Sequence, residues 1–398
     1  MTEPALADIP AAAAPPVHPT AAAPARRLPR RTAVGAVSVL AVLLPFVVGR
    51  YWLSQLVFVL IVAIGALGLD VLTGRTGQIS LGHSFFLAVG AYTAGIIGGR
   101  YGLTAALWIP AAGVVAGLLG AVVGPTALRL RGLYLAIVTI GLVFIGQWIF
   151  VNVTWISGGP GGESLPVPRF GYLDFASGER MGSVLFDRNK LYYYLALILL
   201  ALGMAFVYNF GRSRSGLSMY AVRDREVAAA VMGVDVSRTK VKAFVIASAL
   251  AGVGGALYGS FLSFVEPTQW DLSLSIQYVV VIVVGGMASV WGPLLGSLFV
   301  VGLPALLNQV SGSLPFLATG THVNGVISPT DASTIVYGVV LVVFLLGEPR
   351  GVVGLAARVG RLVGRVPAGR APLFPEQQTP AGDLPGGDRD EKGAEHGQ

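Results

Sequence analysis

The sequence predicts an all-α, polytopic integral membrane protein with about ten transmembrane helices and both termini on the cytoplasmic side. Three observations carry that expectation. Of 398 residues, 54% are hydrophobic and only 12% charged, about half the charged share of an ordinary soluble domain. The apolar residues come in long unbroken blocks, near the ~20 residues that take a helix across a ~30 Å hydrocarbon layer. Lys and Arg are distributed unevenly between alternate connecting segments.

Taken in order, residues 1–31 are rich in Ala and Pro without a periodic apolar face, and read as a disordered cytoplasmic tail. Their basic cluster (Arg26, Arg27, Arg30, Arg31) precedes an apolar run with no small-residue cleavage site, so the run reads as a first span, not a signal peptide. A transmembrane domain over 32–347 follows, with expected spans 32–49, 52–70, 84–99, 103–127, 133–152, 191–210, 243–264, 274–288, 293–309 and 333–347. Spans 84–99 and 274–288 are short and interrupted by Gly, a pattern of half-helices that line a pathway. Ten spans split into fives of opposite direction, so an inverted repeat is topologically allowed. Residues 348–398, rich in Pro, Gly, Asp and Glu from 366 onward, read as a largely disordered cytoplasmic tail.

With the N-terminus inside, 21 of the 27 Lys and Arg fall on inner segments. The outer ones are Arg50, Arg100, Arg169, Arg180, Arg188 and Lys190. The last four lie in an outer loop, 153–190, beside Glu163, Asp174, Glu179 and Asp187. This bias accounts for the +7 net charge through membrane topology, so the partner expected is a lipid bilayer and not a nucleic acid. With no cysteine and four scattered histidines, no disulfide, thiol or histidine metal site is expected. No cofactor is expected either.

The stretch "SMYAVRDREVAAAVMGVDVSRTKVK" (218–242) interrupts the apolar runs and falls on an inner segment, 211–242. It reads as a helix from Ser218, a cap, to Met232, stopped at Gly233, with Ser237 capping a second helix that runs into the seventh span. Arg223 and Arg225 suit lipid headgroups, and Ala228, Ala229 and Ala230 make a low face that a groove on another protein can grip. The competing readings are a solvated connector and a membrane-surface amphipathic helix.

"RDREVAAAVMGVDVSRTKVKAFVIASALAGVGGALYG" resembles the cytoplasmic coupling loop and following span of ATP-binding-cassette importer permeases, specifically the M-type permease of branched-chain amino acid importers. "GLDVLTGRTGQISLGHSFFLAVGAYTAG" (67–95), "RLRGLYLAIVTIGL" (129–142), "GGMASVWGPLLGS" (285–297) and "SGGPGG" (157–162) agree, so the resemblance runs from about residue 60 to 355. In the wider permease class the coupling loop reads Glu-Ala-Ala, three residues, then Gly. Here Glu226 stands seven residues before Gly233, with Val227 between it and Ala228. The resemblance implies that Arg223, Asp224, Glu226, Ala229 and Gly233 couple the membrane bundle to an ATPase. It further implies a transport subunit, not an enzyme, in the cytoplasmic (inner) membrane, with two ATPase subunits, an H-type permease partner and an extracytoplasmic solute-binding protein. The chain has no Gly-rich phosphate loop ending in Gly-Lys-Ser/Thr, so ATP hydrolysis is expected on other chains.

"GRTGQISLGHSFF" offers a candidate translocation pathway at Gly77, Gln78, Ser80, Gly82 and His83, where an interrupted helix exposes backbone groups to a zwitterionic solute. The alternative is that the glycines pack helices while Ser80 or His83 caps one. "GGMASVWGP" reads as an inner turn between the eighth and ninth spans. The cargo implied by resemblance is Leu, Ile or Val. The alternatives are urea or short-chain amides, more distantly a sugar, or an ion-coupled secondary transporter. The last normally needs acids inside the bundle, and the sequence offers only Asp70, at a span end. A polytopic membrane enzyme would need clustered His, Asp, Glu or Ser, which the spacing does not supply.

Overall fold

The computed structural model describes residues 30–125 and 132–311 (except 172, 177–178 and 182–183), then 338–339, 341–343, 346 and 351–362. Contacts divide the chain into residues 1–356 and residues 357–398. The described elements lie in the first unit, apart from the end of α12.

The helices are α1 (Arg30–Val47), α2 (Arg50–Leu69), α3 (His83–Ala94), α4 (Ala105–Val123), α5 (Leu133–Asn152), α6 (Arg188–Gly211), α7 (Arg214–Asp224), α8 (Glu226–Val231), α9 (Val236–Leu262), α10 (Leu272–Gly285), α11 (Gly292–Ser311) and α12 (Gly351–Leu362). Wider π-type turns extend α2 through Asp70–Gly74 and α3 through Gly95–Arg100. Six segments are long and apolar enough to cross a membrane: 50–74, 105–123, 134–152, 188–211, 236–262 and 267–285. The protein is an all-helical polytopic membrane protein. Of the expected spans, 333–347 lies mostly outside the described residues, and Arg129 and Arg131 of the "RLRGLY" stretch lie wholly outside them.

α9 is the central helix. Ala243, Ala247, Ala251, Gly255 and Gly259 recur every fourth residue, so one stripe of it carries almost no side chain. Lipid tails are as apolar as the helices themselves, so association in a membrane rests on close packing. A Cβ at Gly255 would lie 1.9 Å from the Leu87 carbonyl oxygen of α3, and one at Gly90 would lie 2.0 Å from the Gly252 oxygen. On other faces Gly254 meets Gly65 of α2, and Gly120 of α4 meets Ser248. The α10–α11 hairpin closes in the same way, Gly296 against Val281 and Gly285 against Gly292.

Two ends of the bundle are distinct. At one end lie the short antiparallel pairs β1 (Glu163–Ser164) with β6 (Phe264–Val265), β2 (Arg169–Phe170) with β3 (Leu173–Asp174), and β4 (Glu179–Met181) with β5 (Val184–Phe186). Ion pairs tie this end together: Arg100 to Glu163 at 2.8 Å, Arg50 to Asp187 at 2.8 Å and Arg169 to Asp174 at 3.2 Å. Glu163, Asp174 and Asp187 of loop 153–190 therefore draw cations from α2 and the end of α3 as well as from the loop. The other end carries α7, α8 and the turn after α10.

The local form of 213–242 differs from the sequence expectation in three ways. The first helix is capped by Ser213, whose Oγ accepts from the Gly216 N–H at 3.2 Å, and not by Ser218. It breaks at Arg225, which is extended at φ −152°, ψ 102°, and a separate short helix restarts at Glu226. The second long helix is capped by Asp235, whose Oδ1 accepts from the Arg238 N–H at 2.9 Å, and not by Ser237. Ser213 and Asp235 are both strong N-cap residues; each wins by sitting where the first free N–H groups converge. Gly233 does form the expected corner, at φ +83°, which an L side chain adopts only at a cost of roughly 1–2 kcal/mol.

Candidate functional site

The site lies at the α7/α8 end, where the chain between α2 and α3 turns back into the bundle. His83 begins α3 level with Gly65, its Nε2 3.0 Å from the Gly65 oxygen and its ring 5.0 Å from that of Tyr278. Gly65 is nine residues before Gly74, so the chain has returned by roughly 14 Å at 1.5 Å per residue. Residues 77–82 are outside any helix, yet Gln78, Ser80 and His83 are buried. Most of the loop's polar groups find partners within the chain. Gln78 N–H donates to the Leu72 oxygen at 3.3 Å, Thr73 Oγ1 donates to the Gln78 oxygen at 3.0 Å, and Leu81 N–H donates to Thr139 Oγ1 at 2.9 Å.

The two short helices singled out by the sequence meet here. Ser84 of α3 donates its N–H to Ser275 Oγ of α10 at 2.9 Å, and Ser275 Oγ donates to Ser84 Oγ at 2.8 Å. Asp271 Oδ1 caps α10 by accepting from the Leu274 N–H at 2.9 Å.

A buried ion pair sits at the base of the re-entrant loop. Asp70 and Arg75 are 0% and 2% exposed. The Asp70 Oδ2 and Arg75 Nε face each other at 3.6 Å, beyond hydrogen-bond length. Each is anchored elsewhere. Asp70 Oδ1 accepts from the Ala288 N–H at 2.6 Å, and Arg75 Nη1 donates to the Val207 oxygen at 2.9 Å. Arg75 also lies 6.0 Å over the Tyr220 ring. Gly211 leaves room for the guanidinium, because a Cβ there would stand 2.5 Å from Nη1. Ala288 occupies a left-handed conformation at φ 61°, uncommon for a non-glycine residue. One ion pair thus joins α2, α6, α7 and the α10–α11 turn. Sequence reading registered Asp70 only as an acid at a span end. The paired residues are only five apart, across the π-type turn at 70–74, but their anchors at Val207 and Ala288 lie more than 130 residues away, which no local signal reveals.

The residues expected to serve coupling and those expected to serve a pathway converge on this end. Arg223 Nη1 donates to the Gly74 oxygen, and a Cβ on Gly77 (φ +69°) would lie 3.3 Å from Arg223 Cγ. Glu226 Oε1 accepts from Lys240 Nζ at 2.9 Å. Lys240 is 5% exposed, and the break at Arg225 starts the short helix with Glu226 beside it. Gly77, Gln78, Arg223, Glu226 and Lys240 line one polar cavity of about 190 Å³, with Thr76, Leu135 and Val222. Ser80, Gly82 and His83 are not among its lining residues. Gly82 packs on Thr139, and Ser80 Oγ accepts from the Gly82 N–H at 3.4 Å. Ala229 points inward, 5% exposed, while Asp224 is exposed. Three apolar side chains that sequence reading passed over are bare: Val227 at 69%, Val231 at 82% and Met232 at 84% exposed. Their spacing at i, i+4 and i+5 was the available signal. Among the described residues no three His, Cys, Asp or Glu side chains gather where they could hold a metal.

A helical bundle with buried re-entrant segments, and with a bare apolar helix projecting from one end, defines a polytopic membrane protein of the transport class. Residues 51–345 match the family described as branched-chain amino acid transport system / permease component. The chain is 36% identical over 292 residues to the high-affinity branched-chain amino acid transport system permease protein LivM of Escherichia coli K12, covering 70% of this chain and 67% of the relative. It is 25% identical over 298 residues to a probable branched-chain amino acid transport permease protein, LivH, of Methanocaldococcus jannaschii, covering 73% and 87%. A shorter stretch of 119 residues is 31% identical to the autoinducer 2 import system permease protein LsrC of Enterobacter sp. 638, covering 28% and 34%. No solved structure matches the chain. The chain belongs to the family of permease components of branched-chain amino acid transport systems.

Proposed function

We propose that this chain is the membrane-spanning permease subunit of an ATP-driven importer that carries Leu, Ile and Val across the inner membrane, with ATP hydrolysis on separate chains. The cargo follows the names of the similar permeases. In this reading 1–31 and 348–398 are cytoplasmic tails around a permease domain at 32–347. Residues 211–242 form the cytoplasmic coupling loop and 153–190 the outer loop. Two ATPase subunits, an H-type permease and an extracytoplasmic solute-binding protein complete the assembly.

The observation that carries the proposal is α8. A six-residue helix exposing Val227, Val231 and adjacent Met232 has no reason to do so in water, because bare apolar clusters mark interaction sites. It is held by the Lys240 ion pair to the start of α9, the central helix. A push on α8 from a closing ATPase therefore reaches the middle of the bundle. Arg223 carries the same movement to Gly74, next to the Asp70–Arg75 pair. A carboxylate already facing a buried guanidinium is a poor coupling-ion site, which argues against a lone ion-driven transporter.

The test is uptake of radiolabelled leucine, isoleucine and valine in cells lacking the chain and in cells complemented with it. Loss of all three on deletion, restored on complementation, is expected. Unchanged leucine uptake with impaired urea uptake would move the cargo to urea and short-chain amides.

A further inference from the structure

We infer that the cavity between the re-entrant loop and α8/α9 is a binding site for a single zwitterionic, aliphatic amino acid reached from the cytoplasmic side. The inference rests on the proposed orientation and deepens the transport reading by naming a site on this chain for the cargo itself.

The cavity's volume, about 190 Å³, falls below the ~300–1,000 Å³ of sites for drug-sized ligands and equals roughly six waters at ~30 Å³ each. It excludes a nucleotide and admits a small metabolite. Its lining carries both signs of charge and an apolar wall: Lys240 and Arg223, Glu226, and the buried Leu135 and Val222. A simple anion would have to approach Glu226, and a simple cation would have to approach Lys240 and Arg223. A zwitterion satisfies both.

Gln78 supplies the independent observation. It lines the cavity and is 5% exposed, and its Nε2 donates to Thr76 Oγ1 at 3.0 Å. Its Oε1 is cut off from solvent and accepts no hydrogen bond among the described residues. A buried acceptor left unmade destabilises the fold, so something outside the chain fills its place. An ammonium group is a donor that such an oxygen accommodates, and Glu226 on the same cavity wall favours its positive charge. Lys240 has three N–H donors, of which Glu226 takes one; the others are placed for a carboxylate. The amino acid would then bridge Gln78 on the re-entrant loop to Lys240 on α9, with its side chain on Leu135 and Val222.

The experiment uses the full importer complex in nanodiscs without its solute-binding protein, and measures equilibrium binding of radiolabelled L-leucine. Saturable binding is expected, competed by isoleucine and valine but at least about tenfold less well by leucinamide and N-acetylleucine, each of which lacks one charge. Gln78→Leu is expected to weaken leucine binding by about tenfold with the complex still assembled. No saturable binding, or equal competition by the two analogues, overturns the inference on the wild-type complex alone, whatever the variant does. Undiminished binding by an assembled Gln78→Leu complex overturns it as well. The two proposals fail separately. A complex that imports leucine yet shows no such binding loses only this site. One that imports urea instead, while binding leucine here, loses only the assigned cargo.

Discussion

Replacing Arg75 by Met keeps the length of the side chain and removes its charge, leaving Asp70 buried without its counter-ion. At 3.6 Å and an effective dielectric of ~20, the attraction lost is about 4–5 kcal/mol. Both groups are essentially unexposed, so solvent screening does not discount it. Breaking a buried pair from one side typically costs about 3–5 kcal/mol, and the Val207 oxygen loses its donor as well. Asp70→Asn is milder, because its amide oxygen still accepts from Ala288 N–H. The double variant leaves no lone charge, and is expected to cost at least about 2 kcal/mol less than the two singles added together. Melting of the detergent-solubilised chain, followed by fluorescence-detected size exclusion, reads the series as Tm. The Arg75→Met shift is expected on the order of 5–10 °C downward. Additive effects, or an Arg75→Met variant as stable as the wild type, would refute the claim that this pair ties four elements together.

Three further outcomes follow from the geometry. Gly255→Ala places a methyl 1.9 Å from the Leu87 oxygen, so α9 and α3 must separate at a cost of about 1–3 kcal/mol, seen as a lower Tm, whereas Gly141→Ala, mid-helix with open space around it, should leave Tm unchanged or slightly raised. Changing Val227, Val231 and Met232 together to Ser should abolish copurification of the ATPase subunits while leaving Tm unchanged, since all three are bare; retained copurification would show that α8 is not the docking helix. Gly233→Pro is expected to abolish transport while membrane insertion persists, because the ring fixes φ near −65° where the corner needs +83°; normal uptake would remove the corner from the coupling path.

The positions of the helices were legible because length and hydropathy are local properties, although among the described residues six segments, against ten expected spans, are long and apolar enough to cross a membrane. The expected span 133–152 coincides with α5, and 293–309 falls within α11. The start of α9 at Val236 was legible to within two residues, from Ser237 read as its cap, whereas the burial of Lys240 against Glu226 was not. The break at Arg225 carries no Gly or Pro signal, and six of the nine residues of "RDREVAAAV" are good helix formers. It is the tertiary pairing of Glu226 with Lys240 that accompanies it. At the site, Gly77 and Gln78 were identified from the Gly-rich interruption, and Arg223 and Glu226 from the resemblance. That these two sets line one cavity is a long-range fact, and spacing does not encode it. The exposed face of α8 was readable in principle, but the flanking alanines drew attention to Ala229, which faces inward.

The central claim is that α8 projects into the cytoplasm and seats on an ATPase. The chain has no native cysteine, so Met232→Cys gives a single thiol at the C-cap residue that ends α8, 84% bare. Labelling it with a membrane-impermeant maleimide tests the claim directly. No reaction in intact spheroplasts, rapid reaction in inside-out vesicles stripped of ATPase, and protection when the ATPase is restored are predicted. Reaction in intact spheroplasts would contradict it.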